Sequence, residues 1–426
     1  MCIRDRWEAQ GYDVKGVSLA GVASKNLENE AGIKSTTIAK FLWDVASVEA
    51  QLAGQPKEKT AVEKIKEFLG LKEKEPDPEV KQDSPEKRKA RFLIDKNTVL
   101  VIDEAGMVAT PQMMRIIEEA KKTGAKVVLV GDAKQLQPIE HGNPFYTFGQ
   151  ELGQAELKEI RRQKELWAKD AVYKMADGKA EEALKIFDEK GLLYIKDNRK
   201  DALQSLILQW EKDPNGFDKK LIVGALNEDV KSLNKMAQLQ RQNRGELGKV
   251  GVEVNGYTVF EKDRVVFAKA QNSLGLINGE GGIVRSVNIR RNELTVKLDN
   301  GEMRTVPLDR YKDVSLGYAM TTNKAQGKTV ENTYLFAGSS QMQSRELSYV
   351  QVSRARGQTH LFVTKEQMEE GALAKEMSRN QQKVLAHEWK EEIRAKRQRA
   401  ETERERSVAG VMGKAIEKME ERGISI

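Results

Sequence analysis

Apolar positions change period several times along the chain, and the changes divide it. Three β-branched runs, 14–20, 99–103 and 127–132, each run out into Gly or Asp and are separated by stretches of helical period such as 112–123. That alternation predicts βαβ units around a buried parallel sheet. Between the first two runs lies a Lys/Glu/Pro-rich segment, 51–89, which reads as a charged surface insertion with one short helix at 61–71. Helical patterns from 156 to 210 enclose one strand at 192–195. A second α/β set then begins at 221–227 and is completed by runs at 333–337 and 361–364. Inside that second set, residues 251–318 switch to a period of two, with Asn-Gly pairs at 255–256, 278–279 and 300–301. This predicts a small antiparallel barrel inserted into the second unit. Beyond Thr364 the chain is charged and helix-favouring, as solvated helices and tails are.

Composition narrows the function classes. The chain has 426 residues, and 72 Lys and Arg against 65 Asp and Glu leave a net charge of +7, which favours a polyanionic partner. With 32% charged residues and no apolar run of the roughly 18 residues a membrane helix needs, an integral membrane protein is excluded. A single cysteine, Cys2, and three scattered histidines, His141, His360 and His387, exclude a disulfide scaffold and a zinc cluster. The opening six residues, MCIRDR, form no apolar signal core, so the expected location is cytoplasmic. They resemble a translated sequencing-adapter scar, and the corresponding expectation is a gene truncated at its 5′ end.

Five strings carry chemistry. VLVIDEA (99–105) ends a buried strand in two carboxylates, at the edge where α/β sheets present ligands. This is a Walker B arrangement, in which Asp103 holds Mg²⁺ on a nucleotide and Glu104 polarises an attacking water. Two terminal acids could alone serve solubility, but the next strand continues VGDAKQLQPI (130–139). That places Gln135 beyond a strand end to read a γ-phosphate or water, with Gly131 allowing a turn beside the nucleotide. Arg162 in LKEIRRQ and Arg354 in YVQVSRAR are suited to reach across a cleft and stabilise charge on a transferred phosphoryl group. Either arginine alone would more often be a surface ion-pair residue. TTNKAQGKT (321–329) is a polar loop suited to touch both a nucleic-acid backbone and a nucleotide.

Taken in order, these strings resemble motifs II, III, IV, VI and V of superfamily 1 DNA helicases, in the RecD-like 5′-to-3′ branch and within it the helicase region of conjugative relaxase-helicases of the MobF/TraA kind. The resemblance covers about residues 7–364. It implies an α/β fold of two RecA-like P-loop NTPase domains with an SH3-like insert. The domain bounds would be 1–150 for the first domain, 151–250 for a linker and the start of the second, 251–318 for the insert, 319–365 for the rest of the second, and 366–426 for a charged helical tail. It also implies ATP and Mg²⁺ as cofactors, and single-stranded DNA and conjugative transfer machinery as partners. Glu104, Gln135, Arg162 and Arg354 would be catalytic, while Asp103 (also for Mg²⁺), Asp132, Gln326 and Gly327 would hold the nucleotide. The stretch 16–42 is similar to motifs Ia and Ib, so Ala20, Gly21, Ser35, Thr36 and Thr37 would contact DNA, together with Thr322 and Asn323 of motif V. Asn323 stands where many relatives carry His. Two alternatives remain: a RecD-like repair or recombination helicase, and a non-enzymatic DNA-binding fragment.

One required element is missing from the sequence. Motif I, G-x-x-x-x-G-K-[ST], cradles phosphates with backbone N–H groups and neutralises them with its Lys. The only GKT, residues 327–329, has Thr322 where the first Gly belongs. The expectation is therefore a parent ATPase whose present chain is not competent alone. Aromatics for base stacking are few, at 6% of residues. Phe145, Tyr146, Tyr318 and Tyr349 are candidates, each better suited to core packing. Lys262, Arg264 and Lys269 of the insert could guide a strand or simply keep a small barrel soluble.

Overall fold

The computed structural model describes residues 3–52, 92–338 and 343–383. The predicted helix at 61–71, nearly all of the charged insertion and the tail beyond 383 lie outside them. The first α/β unit is a four-stranded parallel sheet of β1 (Asp13–Ser18), β2 (Lys34–Thr37), β3 (Thr98–Asp103) and β4 (Lys126–Leu129), in the order β2-β1-β3-β4. The helices are α1 (Ile3–Glu8), α2 (Gly21–Ala31), α3 (Ile38–Leu52), α4 (Thr110–Thr123) and α5 (Pro144–Leu152). Helix α4 shows how local signals set an element. Pro111 sits in its first turn, where a missing N–H costs nothing, and Lys121 and Lys122 face the negative end of the dipole. Gly124 closes it in the left-handed conformation. Its apolar stripe, Met113, Ile116 and Ala120, packs with Ile38, Phe41 and Val45 of α3 on one face of the sheet. Each of the larger side chains buried there contributes about 1.5–3 kcal/mol. Trp7, Tyr12 and Leu27 cover Val14 and Val99 on the other face.

The second unit is also parallel. Its helices up to the insert are α6 (Leu166–Ala176), α7 (Ala180–Glu189), α8 (Arg199–Lys212) and α9 (Asn227–Asn243). Strands β5 (Leu193–Lys196) and β6 (Lys220–Gly224) precede the insert, and β14 (Ala319–Thr321), β15 (Asn332–Phe336) and β16 (Thr359–Thr364) follow it, in the order β14-β6-β15-β16-β5. Leu206, Trp210, Leu233 and Phe362 make the core on one face, and Met175, Phe187, Leu335 and Leu373 make the core on the other. A sheet covered on both faces explains the continuous apolar runs. Helices α10 (Thr322–Ala325), α11 (Arg345–Val352), α12 (Lys365–Met368) and α13 (Ala372–Met377) complete it.

Between β6 and β14 the period-two segment is antiparallel, as its alternation predicts. It comprises a hairpin, β7 (Gly251–Val254) with β8 (Tyr257–Phe260), and a five-stranded sheet of β9 (Arg264–Phe267), β10 (Gly281–Asn288), β11 (Glu293–Leu298), β12 (Met303–Pro307) and β13 (Val314–Leu316). Asn255 and Gly256 both have positive φ, 50° and 76°, which a two-residue hairpin turn of this hand requires. The sequence reading missed β2, whose KSTT has only half-buried or exposed side chains and no apolar alternation. It also carried β4 to Asp132, whereas the strand ends at Leu129 and Val130–Asp132 belong to the exit loop.

Candidate nucleotide cleft and strand-binding face

The cleft begins where β3 ends. Glu104, directly after Asp103, adopts φ 53° and ψ 39°, a left-handed conformation that strains a residue with a Cβ. The exit loops of β3 and β4 meet backbone to backbone. A Cβ at Gly131 would stand 3.0 Å from the Gly106 nitrogen, so a side chain there would push the loops apart. Asp132 is the hub of the second loop. Its Oδ1 accepts from the Lys134 N–H at 2.9 Å, and its Oδ2 accepts from Gln135 Nε2 at 3.1 Å and from the Tyr349 hydroxyl at 2.8 Å. Tyr349 lies on α11, so this last bond joins the two α/β units.

From the second unit, Arg162 donates to the Ser353 carbonyl at 2.6 Å. Gln163 donates to the carbonyls of Ser353 and Ala355 at 3.2 and 2.7 Å. Arg354, 1% exposed, spends Nε on the Val350 carbonyl and Nη2 on the Ser353 hydroxyl, at 3.0 and 2.9 Å. Burial, reinforced by the neighbouring Arg162 cation, pulls the Arg354 guanidinium down to about 10 against the opposing pull of Glu104. Burial likewise lowers Arg162. Glu104 is raised by burial and by repulsion from Asp103, with Arg354 and Gln326 opposing, and Asp103 is raised mainly by burial. Gln326 lies beside the Glu104 carboxylate with its amide shielded from solvent, and Gln135 leaves its Oε1 shielded and without a hydrogen-bond partner.

Three carboxylates, two arginines and two side-chain amides thus meet between the units. The arrangement suits a ligand that is anionic toward the arginines and brings a cation toward the acids. Asp103 fits as a Mg²⁺ contact because that ion takes one or two carboxylates and completes its shell with phosphate and water oxygens. No cluster of three or more ionisable metal ligands occurs among the described residues. Gly327 lies beside this group in a left-handed turn, φ 76°.

The remaining positions divide. Ala20 and Gly21 open α2, with Ala20 exposed. Ser35 and Thr36 lie on β2, where the Ser35 hydroxyl donates to the Ile33 carbonyl and the Thr36 carbonyl accepts from Ser24. The Thr37 hydroxyl accepts from the Lys40 N–H at the start of α3. Asn323 is exposed, while Thr322 is 2% exposed with its hydroxyl taken by Gln351. Of the aromatics, Tyr318 is in the core, Tyr349 bridges the cleft and Phe145 packs on the first core. Arg264 forms a fork with Asp299, and Lys269 pairs with Asp313 at 3.1 Å. Sequence reasoning missed Tyr349 as a cleft residue. Its place inside YVQVSRAR was the available signal.

Comparison with known proteins places this geometry. A family profile described as an AAA domain matches residues 1–198. The conjugal transfer protein TraA of Rhizobium radiobacter is 34% identical over 387 residues, covering 89% of this chain and 31% of that protein. Over most of its length the chain is thus similar to the TraA-like conjugal transfer proteins, with an AAA-type domain at its start. The chain spans about a third of the length of the TraA relatives it matches. The ATP-dependent RecD2 DNA helicase of Deinococcus radiodurans is 26% identical over 61% of the chain. A Bacteroides Pif1 structure solved with single-stranded DNA aligns with a TM-score of 0.50 at 17% identity, covering 85% of this chain and 86% of that one, which shows the shared two-domain RecA-like fold.

Proposed function

We propose that the chain is the ATP-dependent, 5′-to-3′ single-stranded-DNA translocating region of a conjugative transfer protein, and that on its own it does not turn over ATP. The observation that carries the first part is the convergence of Glu104, Asp132, Arg162 and Arg354 in one buried cleft between two RecA-like units. Asp103 would hold the Mg²⁺ that accompanies ATP, and that ion would neutralise phosphate charge. Glu104, raised by its surroundings, is suited to take a proton from water, and the free Oε1 of Gln135 is suited to orient that water. Arg162 and Arg354 would neutralise charge on the phosphoryl group from the second unit. Asp132, bonded to both Gln135 and Tyr349, ties the water-orienting amide to the position of that unit. Gln326 and Gly327 would complete the nucleotide's surroundings.

Two observations support the second part. The sequence holds no motif I. Strand β4 stands at the sheet edge with its apolar residues only half buried, and the adjoining Val130 is 46% exposed, where a further strand would pair. On this reading residues 1–150 are the first RecA-like domain, 151–250 and 319–365 contribute to the second, 251–318 are an SH3-like insert and 366–426 a tail. No helix among the described residues is long and apolar enough to cross a membrane, and we place the protein in the cytoplasm. The TraA relative matches more of the chain, at higher identity, than the RecD2 relative does, which favours transfer over repair.

DNA would cross the face formed by Ala20, Gly21, Ser35, Thr36, Thr37 and Asn323, with Thr322 behind it. Binding of a labelled oligo-dT to the full chain, measured at several salt concentrations, tests this reading. The expected result is micromolar or tighter binding at low salt that weakens steeply as salt rises. Absence of binding at low salt would refute it.

A further inference from the structure

The loop between β9 and β10 leaves the insert and reaches the first unit. Ile277 lies over the start of α2, so close that a Cβ at Gly21 would stand 2.4 Å from its Cγ2. Glu280, at the end of the same loop, is 8% exposed although its carboxylate lies between units. Its Oε1 meets Lys25 Nζ of α2 at 3.3 Å, and its Oε2 accepts from the Ile277 N–H at 3.4 Å. The neighbouring Gly279 carbonyl accepts from Lys328 Nζ of the 321–329 loop at 3.4 Å. One short piece of the insert therefore engages an ammonium from each α/β unit on the face assigned above to the single strand.

These contacts have the chemistry of a strand contact without a strand. A carboxylate and a backbone phosphate both present only acceptor oxygens to Lys. The contacts are also slack. Charge-assisted N–H···O bonds settle near 2.7–2.9 Å, and the Arg264–Asp299 fork beside this loop is tighter than that, with one arm at 2.6 Å. A Lys–Glu contact at 3.3 Å in a site that shields the carboxylate gives back little of its desolvation cost. It is an arrangement that another acceptor can displace.

We propose that Glu280 occupies the position of a backbone phosphate, so that the β9–β10 loop closes the strand-binding face until single-stranded DNA displaces it, and that Lys25 and Lys328 are the phosphate contacts thereby released. The inference rests on the single-strand reading of this face. In the closed arrangement Ile277 covers Gly21, Glu280 holds Lys25 and Gly279 holds Lys328. When DNA enters, its phosphates take both ammoniums and the loop swings clear with the insert.

Oligo-dT affinity of the full chain, read by fluorescence anisotropy at fixed low salt, tests the proposal with four single variants and one double variant. Glu280→Gln removes the competing charge while keeping an oxygen for the Ile277 N–H, and should tighten binding about threefold to tenfold, the size of one ordinary hydrogen bond, as befits so slack a contact. Glu280→Lys should tighten it further and steepen the salt dependence. Lys25→Ala and Lys328→Ala should each weaken binding, and Glu280→Gln added to Lys25→Ala should gain much less than it does alone. Unchanged or weaker binding by both Glu280 variants, in chains that melt like the parent, overturns the proposal and leaves the DNA reading standing. Absence of binding by the parent and by Glu280→Lys removes both.

Discussion

Two buried polar clusters each join separate parts of this molecule, and they are built on opposite principles. At the root of the insert, both oxygens of Asp263 are satisfied. Oδ1 accepts from the Tyr318 hydroxyl at 2.6 Å, and Oδ2 accepts from Gln238 Nε2 and the Phe260 N–H at 2.7 and 2.8 Å. Arg241 donates to the Tyr318 hydroxyl and the Lys262 carbonyl, both at 2.8 Å, and lies 4.3 Å from the Phe217 ring centre. In the cleft, arginine neighbours arginine, carboxylate neighbours carboxylate, and the amide of Gln135 has a shielded oxygen without a partner. A closed network fixes structure, whereas an open one of mismatched charge stores a binding site. Asp263 and Glu104 are both carboxyls raised chiefly by burial, so the shift alone does not separate them. Partner completeness does.

The largest effect should come from breaking the closed cluster. Asp263→Leu strands the Tyr318 O–H, the Gln238 amide and the Phe260 N–H, and should cost about 3–5 kcal/mol in urea unfolding. Tyr318→Phe removes only the hydroxyl at its centre and should cost about 1–3 kcal/mol by the same measurement. The open cluster should respond with the opposite sign. Glu104 has its native value raised above the unfolded one, so its charge costs stability at neutral pH, and that cost is absent below the unfolded value. Glu104→Gln should therefore raise the melting temperature at pH 7 by about 1–3 °C, a gain that fades as pH falls through about 4. Equal destabilisation by Glu104→Gln and Tyr318→Phe would erase the distinction between the clusters.

How much of this was legible in sequence depends on the kind of signal. Buried parallel strands announce themselves, because both faces must be apolar; 99–103 and 333–337 were placed to within a residue. The Asn-Gly turn at 255–256 marked its hairpin through a backbone requirement few residues meet. Strand β2 was not legible as a strand, since KSTT pairs β1 through its backbone while its side chains face outward or into polar contacts. The cleft strings 99–105, 130–139 and 349–356 were legible as chemistry, because acids and amides beyond strand ends have few structural uses. Their pairing across units was not. Nothing in the spacing says that Tyr349 meets Asp132, 217 residues away, or that Lys25 meets Glu280, 255 residues away. Such contacts depend on how whole units dock, to which local pattern is blind.

The central claim is that the cleft is an ATP site whose phosphate-binding loop this sequence does not carry. Phosphate release from ATP, with and without single-stranded DNA, by the chain and by its Glu104→Gln variant tests it most directly. The account predicts no turnover that depends on Glu104, with any residual release equal in both proteins. DNA-stimulated turnover that Glu104→Gln abolishes would contradict it, and would mean that another segment of this chain cradles the phosphates.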